Sequence, residues 1–145
     1  MTKNVLISIK GMHFDVADDS DNVEVIQPGQ YYERGGNHYL IYDEPVEGSE
    51  QVNKNMIKFN DVSMSVTKKG VVNTTMLFDT TEKNLTNYST PFGSLVIGLD
   101  THNISVKKTE DELKLSVQYS LDVNYEFLAD CNINITAKDI GSATI

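Results

Sequence analysis

Apolar and polar residues alternate along most of this chain. From Leu113 the apolar positions are Leu113, Leu115, Val117, Tyr119, Leu121, Val123 and Tyr125, separated by Lys114, Ser116, Gln118, Ser120, Asp122 and Asn124. A helix starting at Leu113 would need apolar residues at Ser116 and Ser120, so the period of two predicts a strand with one dry face. The run is longer than an ordinary strand, as expected of one that coils around a barrel. The same period recurs in Val5/Ile7/Ile9, Val23/Val25, Ile57/Phe59, Val62/Met64/Val66, Met76/Phe78, Leu95/Ile97/Leu99, Ile104/Val106 and Cys131/Ile133/Ile135.

Turn-forming residues punctuate these runs. Gly35-Gly36-Asn37, Asn60-Asp61, Lys69-Gly70, His102-Asn103 and Glu110-Asp111 each sit between alternating segments and read as hairpin connections. No segment has helical periodicity. The pattern predicts an all-β fold, an antiparallel up-and-down barrel of eight to ten strands over residues 1–145 with few or no helices; closure removes the exposed edges of such a meander. A two-sheet sandwich is the competing architecture. Pro28-Gly29 sets the strand count: a kink there leaves one long strand from Val23 to Glu33 and ten strands in all. In that arrangement the last strand runs antiparallel to the first. The two acidic loops then share one end of the barrel, and Arg34–Asn37 shares the other with the long irregular segment Asp79–Pro91.

Charge changes the picture. The chain has 145 residues, Lys+Arg 12 against Asp+Glu 21, and a net charge of -9. Residues 11–50 hold ten acids and one base, Arg34, while the other eleven acids are matched by eleven lysines. The acids gather in Asp15–Asp21 and Asp43–Glu50. This balance argues against nucleic-acid partners, which need a basic face. Val5–Ile9 is too short for a signal-peptide core and the longest apolar run, Leu95–Leu99, spans no bilayer, so the expectation is a cytoplasmic protein with no membrane partner. The one cysteine, Cys131, cannot form an internal disulfide and agrees with a reducing compartment.

Signatures of catalysis or cofactor binding are missing: no G-x-S-x-G, Walker loop, G-x-G-x-x-G, H-E-x-x-H or C-x-x-C occurs. His13, His38 and His102 are too scattered to suggest a metal centre. The Asp15/Asp18/Asp19/Asp21 cluster lacks the EF-hand spacing. Cys131 shares a face with Ile133 and Ile135 and reads as core. No enzyme activity, cofactor or metal is therefore expected. Tyrosines are the more suggestive residues. Strand alternation puts one of Tyr31 and Tyr32 inside and the other outside, and Tyr39 or Tyr42 could bring a hydroxyl into a cavity. Tyr88-Ser89-Thr90-Pro91-Phe92-Gly93 is the most distinctive string: Pro91 biases Thr90 to extended geometry, and the string either plugs one end with Phe92 or shapes a mouth.

These residues resemble the bacterial YwiB-like family of uncharacterised proteins. The resemblance rests on Gly29-Gln30-Tyr31-Tyr32-Glu33, Tyr39-Leu40-Ile41-Tyr42-Asp43-Glu44, Ile57-Lys58-Phe59, Val66-Thr67-Lys68-Lys69-Gly70, Met76-Leu77-Phe78, Tyr88-Ser89-Thr90-Pro91-Phe92-Gly93 and Tyr119-Ser120-Leu121. It implies a calycin-like, lipocalin-type barrel and no established activity. Lys68 stands where the family's arginine is expected, which removes the planar fork that a bidentate anion contact would use. The chain has no Trp, so it lacks the G-x-W mark of true lipocalins.

Two functions are weighed ahead of an enzyme. One is a barrel that binds a small ligand at its mouth, with Arg34, Tyr88, Thr90 and Phe92 at the rim and Tyr39 or Tyr42 inside. The other is a barrel filled by residues such as Phe59, Met64, Phe78 and Leu115 that meets a basic protein partner through its acidic end. The less acidic end, holding Arg34 and Tyr88–Gly93, is the expected mouth.

Overall fold

In the computed structural model, residues 3–11, 24–45, 48, 50–70, 73–90 and 93–140 are described. They form ten strands: β1 (Lys3–Lys10), β2 (Glu24–Arg34), β3 (Asn37–Pro45), β4 (Val52–Phe59), β5 (Ser63–Lys69), β6 (Thr74–Asp79), β7 (Asn84–Thr90), β8 (Gly93–Lys108), β9 (Glu112–Val123) and β10 (Glu126–Asp139). All pairings are antiparallel, in the order β6-β5-β4-β3-β2-β1-β10-β9-β8-β7. The first and last strands therefore pair in the middle of the sheet, Ile7 against Ala137 and Ile9 against Ile135. The outer strands β6 and β7 nearly close the barrel: Asp79 bridges Glu82, and the Thr86 hydroxyl donates to the Thr75 carbonyl at 3.5 Å.

The inward face of each strand is the apolar set of its alternating pattern. Ile7, Leu40, Ile57, Phe59, Met64, Phe78, Ile97, Leu99, Leu115, Tyr119, Ile133 and Ile135 are all but inaccessible. Their burial is the main stabilising term, and a one-residue slip of any strand would put its apolar set in water. β2 runs unbroken through Pro28-Gly29, as the kink requires. Pro28 pairs with Leu6 of β1, while the ladder to β3 begins at Gln30, beyond the missing proline donor. Gly29 is obligatory there, because a Cβ would stand 2.5 Å from both the Ile41 carbonyl oxygen and Ile7 Cδ1.

Two hairpins use turns with positive φ at both central residues, Gly35 (60°) with Gly36 (81°) and Asn124 (51°) with Tyr125 (70°). That backbone suits the twist of the flanking strands. Tyr125 thus ends the long alternating run as an exposed turn residue. At the Asn60 turn the side-chain oxygen accepts from the amides of Val62 and Ser63 at 2.8 and 2.9 Å.

The strand count agrees with the expected ten, but two strands differ in kind. His102-Asn103 is no hairpin. β8 runs through it as one strand of 16 residues, with a bulge between Thr101 and Asn103 that leaves His102 as the extra residue, its ring hydrogen-bonded to Ser120 at 2.7 Å. Conversely, the segment read as irregular contains β7, whose Asn-Leu-Thr-Asn-Tyr-Ser-Thr sequence offers a single aliphatic side chain to the pattern.

Candidate functional site

Strand parity gives the barrel two unlike ends. At the turn end lie the connections 34–37, 59–63, 79–84 and 108–112; at the loop end lie 10–24, 45–52, 69–74, 90–93 and 123–126. Both acid-rich connections leave and rejoin the barrel at the loop end, as expected. Residues 12–23, 46, 47 and 49 are outside the described residues, and the acidic cluster Asp15–Asp21 and His13 lie among them.

The turn end is filled and tied. Phe59, Met64 and Phe78 are buried there, and Phe78 meets Tyr119 edge to face at 5.0 Å. His38 stacks on Phe59 at 5.0 Å, and its Nδ1 lies 2.7 Å from the Tyr31 hydroxyl. Lys108 Nζ donates to Glu33 at 3.0 Å and sits 5.4 Å from the Tyr31 ring centroid. β2 and β8 are separated in the sheet by β1, β10 and β9, so this ion pair spans the end of the barrel. The Lys108 hydrogen bond and charge hold the Glu33 carboxyl below its usual range, and the same bond raises Lys108. Burial raises Tyr31. The cavity beside this cluster measures about 20 Å³, room for about one water molecule.

The loop end is different because the apolar phase fails on one wall. β4 reads Val-Asn-Lys-Asn-Met-Ile-Lys-Phe, and its buried positions are Asn53, Asn55, Ile57 and Phe59. Ile57 and Phe59 lock the register, and the period of two then carries Asn55 and Asn53 inward while Val52 and Met56 face out, 43% and 37% exposed. The neighbouring strands follow suit. Tyr42 pairs with Asn55 and Glu44 with Asn53 on one side, and Lys68 pairs with Asn55 on the other. Lys68 Nζ is 3.1 Å from Glu44 Oε1, and Asn53 Nδ2 donates to the same oxygen at 3.2 Å. Gly70 lets its turn close onto this wall, since a Cβ would meet Asn53 Oδ1 at 2.5 Å.

Two groups stand out energetically. Asn55 is 2% exposed and its Nδ2 has no hydrogen-bond partner; on β8, Thr101 is 4% exposed and its hydroxyl is likewise unpaired. Burying a polar group unpaired costs stability, so such groups are rare unless something else meets them. Tyr42, 8% exposed, has its hydroxyl pKa pushed up to about 12 by burial. It is a neutral phenol at physiological pH.

The candidates from the sequence divide among three places. Tyr42 is on the inner wall at the loop end. Tyr88 and Thr90 are also toward that end, their backbones paired with Leu95 and Gly93; their side chains, and Phe92 altogether, lie outside the described part of the structure. Arg34 is exposed at the opposite, turn end. The expected mouth joining Arg34 to Tyr88–Gly93 therefore does not form, because the unforeseen β7 carries the chain from the turn end to the loop end and includes Tyr88–Thr90 as its last residues. Tyr39 is on the outer face, stacked on Tyr32 at 4.6 Å with Lys58 Nζ 5.8 Å from its ring centroid. Tyr31 points in and Tyr32 out, as alternation demands. The residues the sequence reading missed are Asn53, Asn55, Glu44 and the inward role of Lys68. Stepping back in twos from Phe59 and Ile57 would have found both asparagines.

Among the described residues, no cluster of His, Cys, Asp and Glu is placed to hold a metal ion, and no helix is long and apolar enough to cross a membrane. Fold and site together define an antiparallel ten-stranded barrel with one end packed and tied and a polar inner wall at the other. The chain belongs to the family described as a domain of unknown function, DUF1934, which matches residues 7–135. It is 27% identical over 124 residues to the uncharacterized beta-barrel protein YwiB of Bacillus subtilis (strain 168), covering 83% of this chain and 86% of that protein. The crystal structure of the ywiB protein from Bacillus subtilis superposes with a TM-score of 0.74 at 21% identity, over 95% of this chain and 92% of the other. That likeness carries the fold.

Proposed function

We propose that this protein is a cytoplasmic, calycin-like barrel that binds a small polar molecule at its loop end, against the inner wall formed by Tyr42, Glu44, Asn53, Asn55 and Lys68. The observation that carries the reading is the unpaired amide of Asn55, 2% exposed, on a wall where the strand pattern calls for aliphatic side chains. Evolved chains keep such local violations chiefly where function requires them. The packed turn end leaves the loop end as the side from which a ligand enters. No enzymatic step is assigned.

Native mass spectrometry of protein purified without denaturation tests the reading. Wild type should carry an adduct of low mass that Asn55→Leu has lost. Adduct-free masses for both, with a single ordered water bound to Asn55 in a high-resolution structure, would refute it.

A basic protein partner is the second reading, favoured by the meeting of both acid-rich connections at the loop end. Neutralising Asp18, Asp19, Glu47 and Glu50 should then abolish capture of the partner. Asp18, Asp19 and Glu47 lie outside the described residues.

A further inference from the structure

We infer that the molecule held at the loop end is uncharged and presents a carbonyl-type oxygen, as in an amide, lactam or ureide; the inference rests on the binding reading above. The wall's unsatisfied group is a donor. Asn55 Nδ2 carries two N–H bonds and neither has a partner. Its register neighbour across β3 and β4 is Tyr42, so the two side chains share the inner face. Because burial pushes the Tyr42 pKa up to about 12, that hydroxyl keeps its proton throughout the physiological range. An unmet amide donor, with a protonated tyrosine on the neighbouring strand, asks for an acceptor.

Charge then narrows the class. An anion would supply acceptor oxygens, but the cation on this wall is already neutralised: Lys68 Nζ lies 3.1 Å from Glu44 Oε1 and 3.4 Å from Oε2. The acid-rich connections that leave the barrel at this end belong to residues 11–50, whose acids exceed their bases by nine (ten acids, one base), a balance that repels an anion. A cation is drawn to that end by the same field. Inside, however, it would meet the unmet donor of Asn55, and Glu44 is already engaged by Lys68 and Asn53. Burying an ion without a free counter-charge is costly, whereas a neutral carbonyl satisfies the orphan donor and brings no charge.

The test uses three probes of one size: acetamide, acetate and methylammonium. Each is titrated into the full-length protein at neutral pH while the Asn55 side-chain amide is followed in two-dimensional nitrogen–proton spectra. That resonance is identified by its loss in Asn55→Leu or, should that variant not fold, by through-bond assignment of the wild type. The expected result is a saturable shift with acetamide and a response to both ions weaker by about tenfold or more. Tyr42→Phe, which keeps the ring and removes the donor, should weaken the acetamide response by about two- to tenfold. Saturation by acetate or methylammonium ahead of acetamide would overturn the ligand class while leaving the binding reading in place. If none of the three moves the resonance, the binding reading itself fails.

Discussion

Replacing Asn55 by leucine should make this protein more stable. Core polar-to-apolar changes gain when they remove a group that has lost water and found nothing in exchange, and Asn55 Nδ2 is such a group. Leaving a buried donor unsatisfied costs about 1–3 kcal/mol, and replacement by an apolar group of similar shape recovers much of it. Leucine shares the branching of asparagine though its methyl groups are bulkier, and β4 is already anchored by Ile57 and Phe59, so register is not at risk. Against the gain stands some misfit of the branched side chain beside Lys68 and Tyr42, of order 1 kcal/mol. The net expectation is a stabilisation of up to about 2 kcal/mol. In a domain of this size that raises Tm by up to roughly 8 °C. Urea unfolding followed by far-ultraviolet circular dichroism would measure it as a higher midpoint at constant slope. Loss of more than about 1 kcal/mol would refute the reasoning, because it would mean that Asn55 is already satisfied by a resident water whose bonds the leucine breaks. A stabilising substitution that also removes binding is what a site held open at the expense of stability should show.

Four further outcomes follow from the same geometry. Phe59→Ala should cost about 3–5 kcal/mol in chemical denaturation, because Phe59 is 1% exposed and both locks β4 and seats His38. Tyr125→Gly should stabilise by up to about 1 kcal/mol, since Tyr125 holds φ at 70° in a turn and makes its ring no part of the core; a loss of stability would show that the exposed ring has a packing role. The folded-state pKa of Tyr42 lies above the unfolded value, so its contribution is complete below pH 10 and is lost as pH rises through about 12. Alkaline unfolding should therefore release a share of about 2–3 kcal/mol that Tyr42→Phe lacks. Glu33 has the opposite sign: its carboxyl is held low by Lys108, so the stability it lends is present above the usual carboxylate range and fades as acid reaches its lowered pKa. Lys108→Met should flatten the acid limb of a Tm-against-pH curve, and an unchanged limb would count against the tie across the turn end.

The fold was legible because burial in a barrel imposes one rule on every strand. Leu113–Val123 could be assigned from alternation alone, and β9 buries Leu113, Leu115, Val117, Tyr119 and Leu121. Where the rule weakens, so did the reading. β7 has Leu85 as its one aliphatic residue, and that side is outward and 54% exposed, so nothing in its own sequence marks a strand; pairing with β8 creates it. At Thr101–Asn103 a bulge changes the phase within a strand, and polar His102 and Asn103 imitate a turn. The two misreadings cancel in the strand count but not in the parity. Each added or lost strand exchanges the ends of the barrel, and that exchange set Tyr88–Gly93 beside Arg34 instead of opposite it.

The same physics explains why the polar wall escaped notice. Asparagine in a strand is normally read as facing water, and Asn53 and Asn55 would do so if β4 were shifted by one residue, with Val52, Lys54, Met56 and Lys58 turned inward. That alternative buries Val52 and Met56, but it also buries Lys54 and Lys58 and exposes Ile57 and Phe59, both at 1% or less. Exposing those two would forfeit about 3–6 kcal/mol, before any cost of burying two lysines. The two asparagines are thus forced inside by the residues that follow them. A chain free to choose could have placed valine at both positions at no penalty to register. That it carries Asn55 there, with its donor unmet and Tyr42 as its register neighbour, is the reason to look for the ligand at this wall rather than among the exposed residues of either rim.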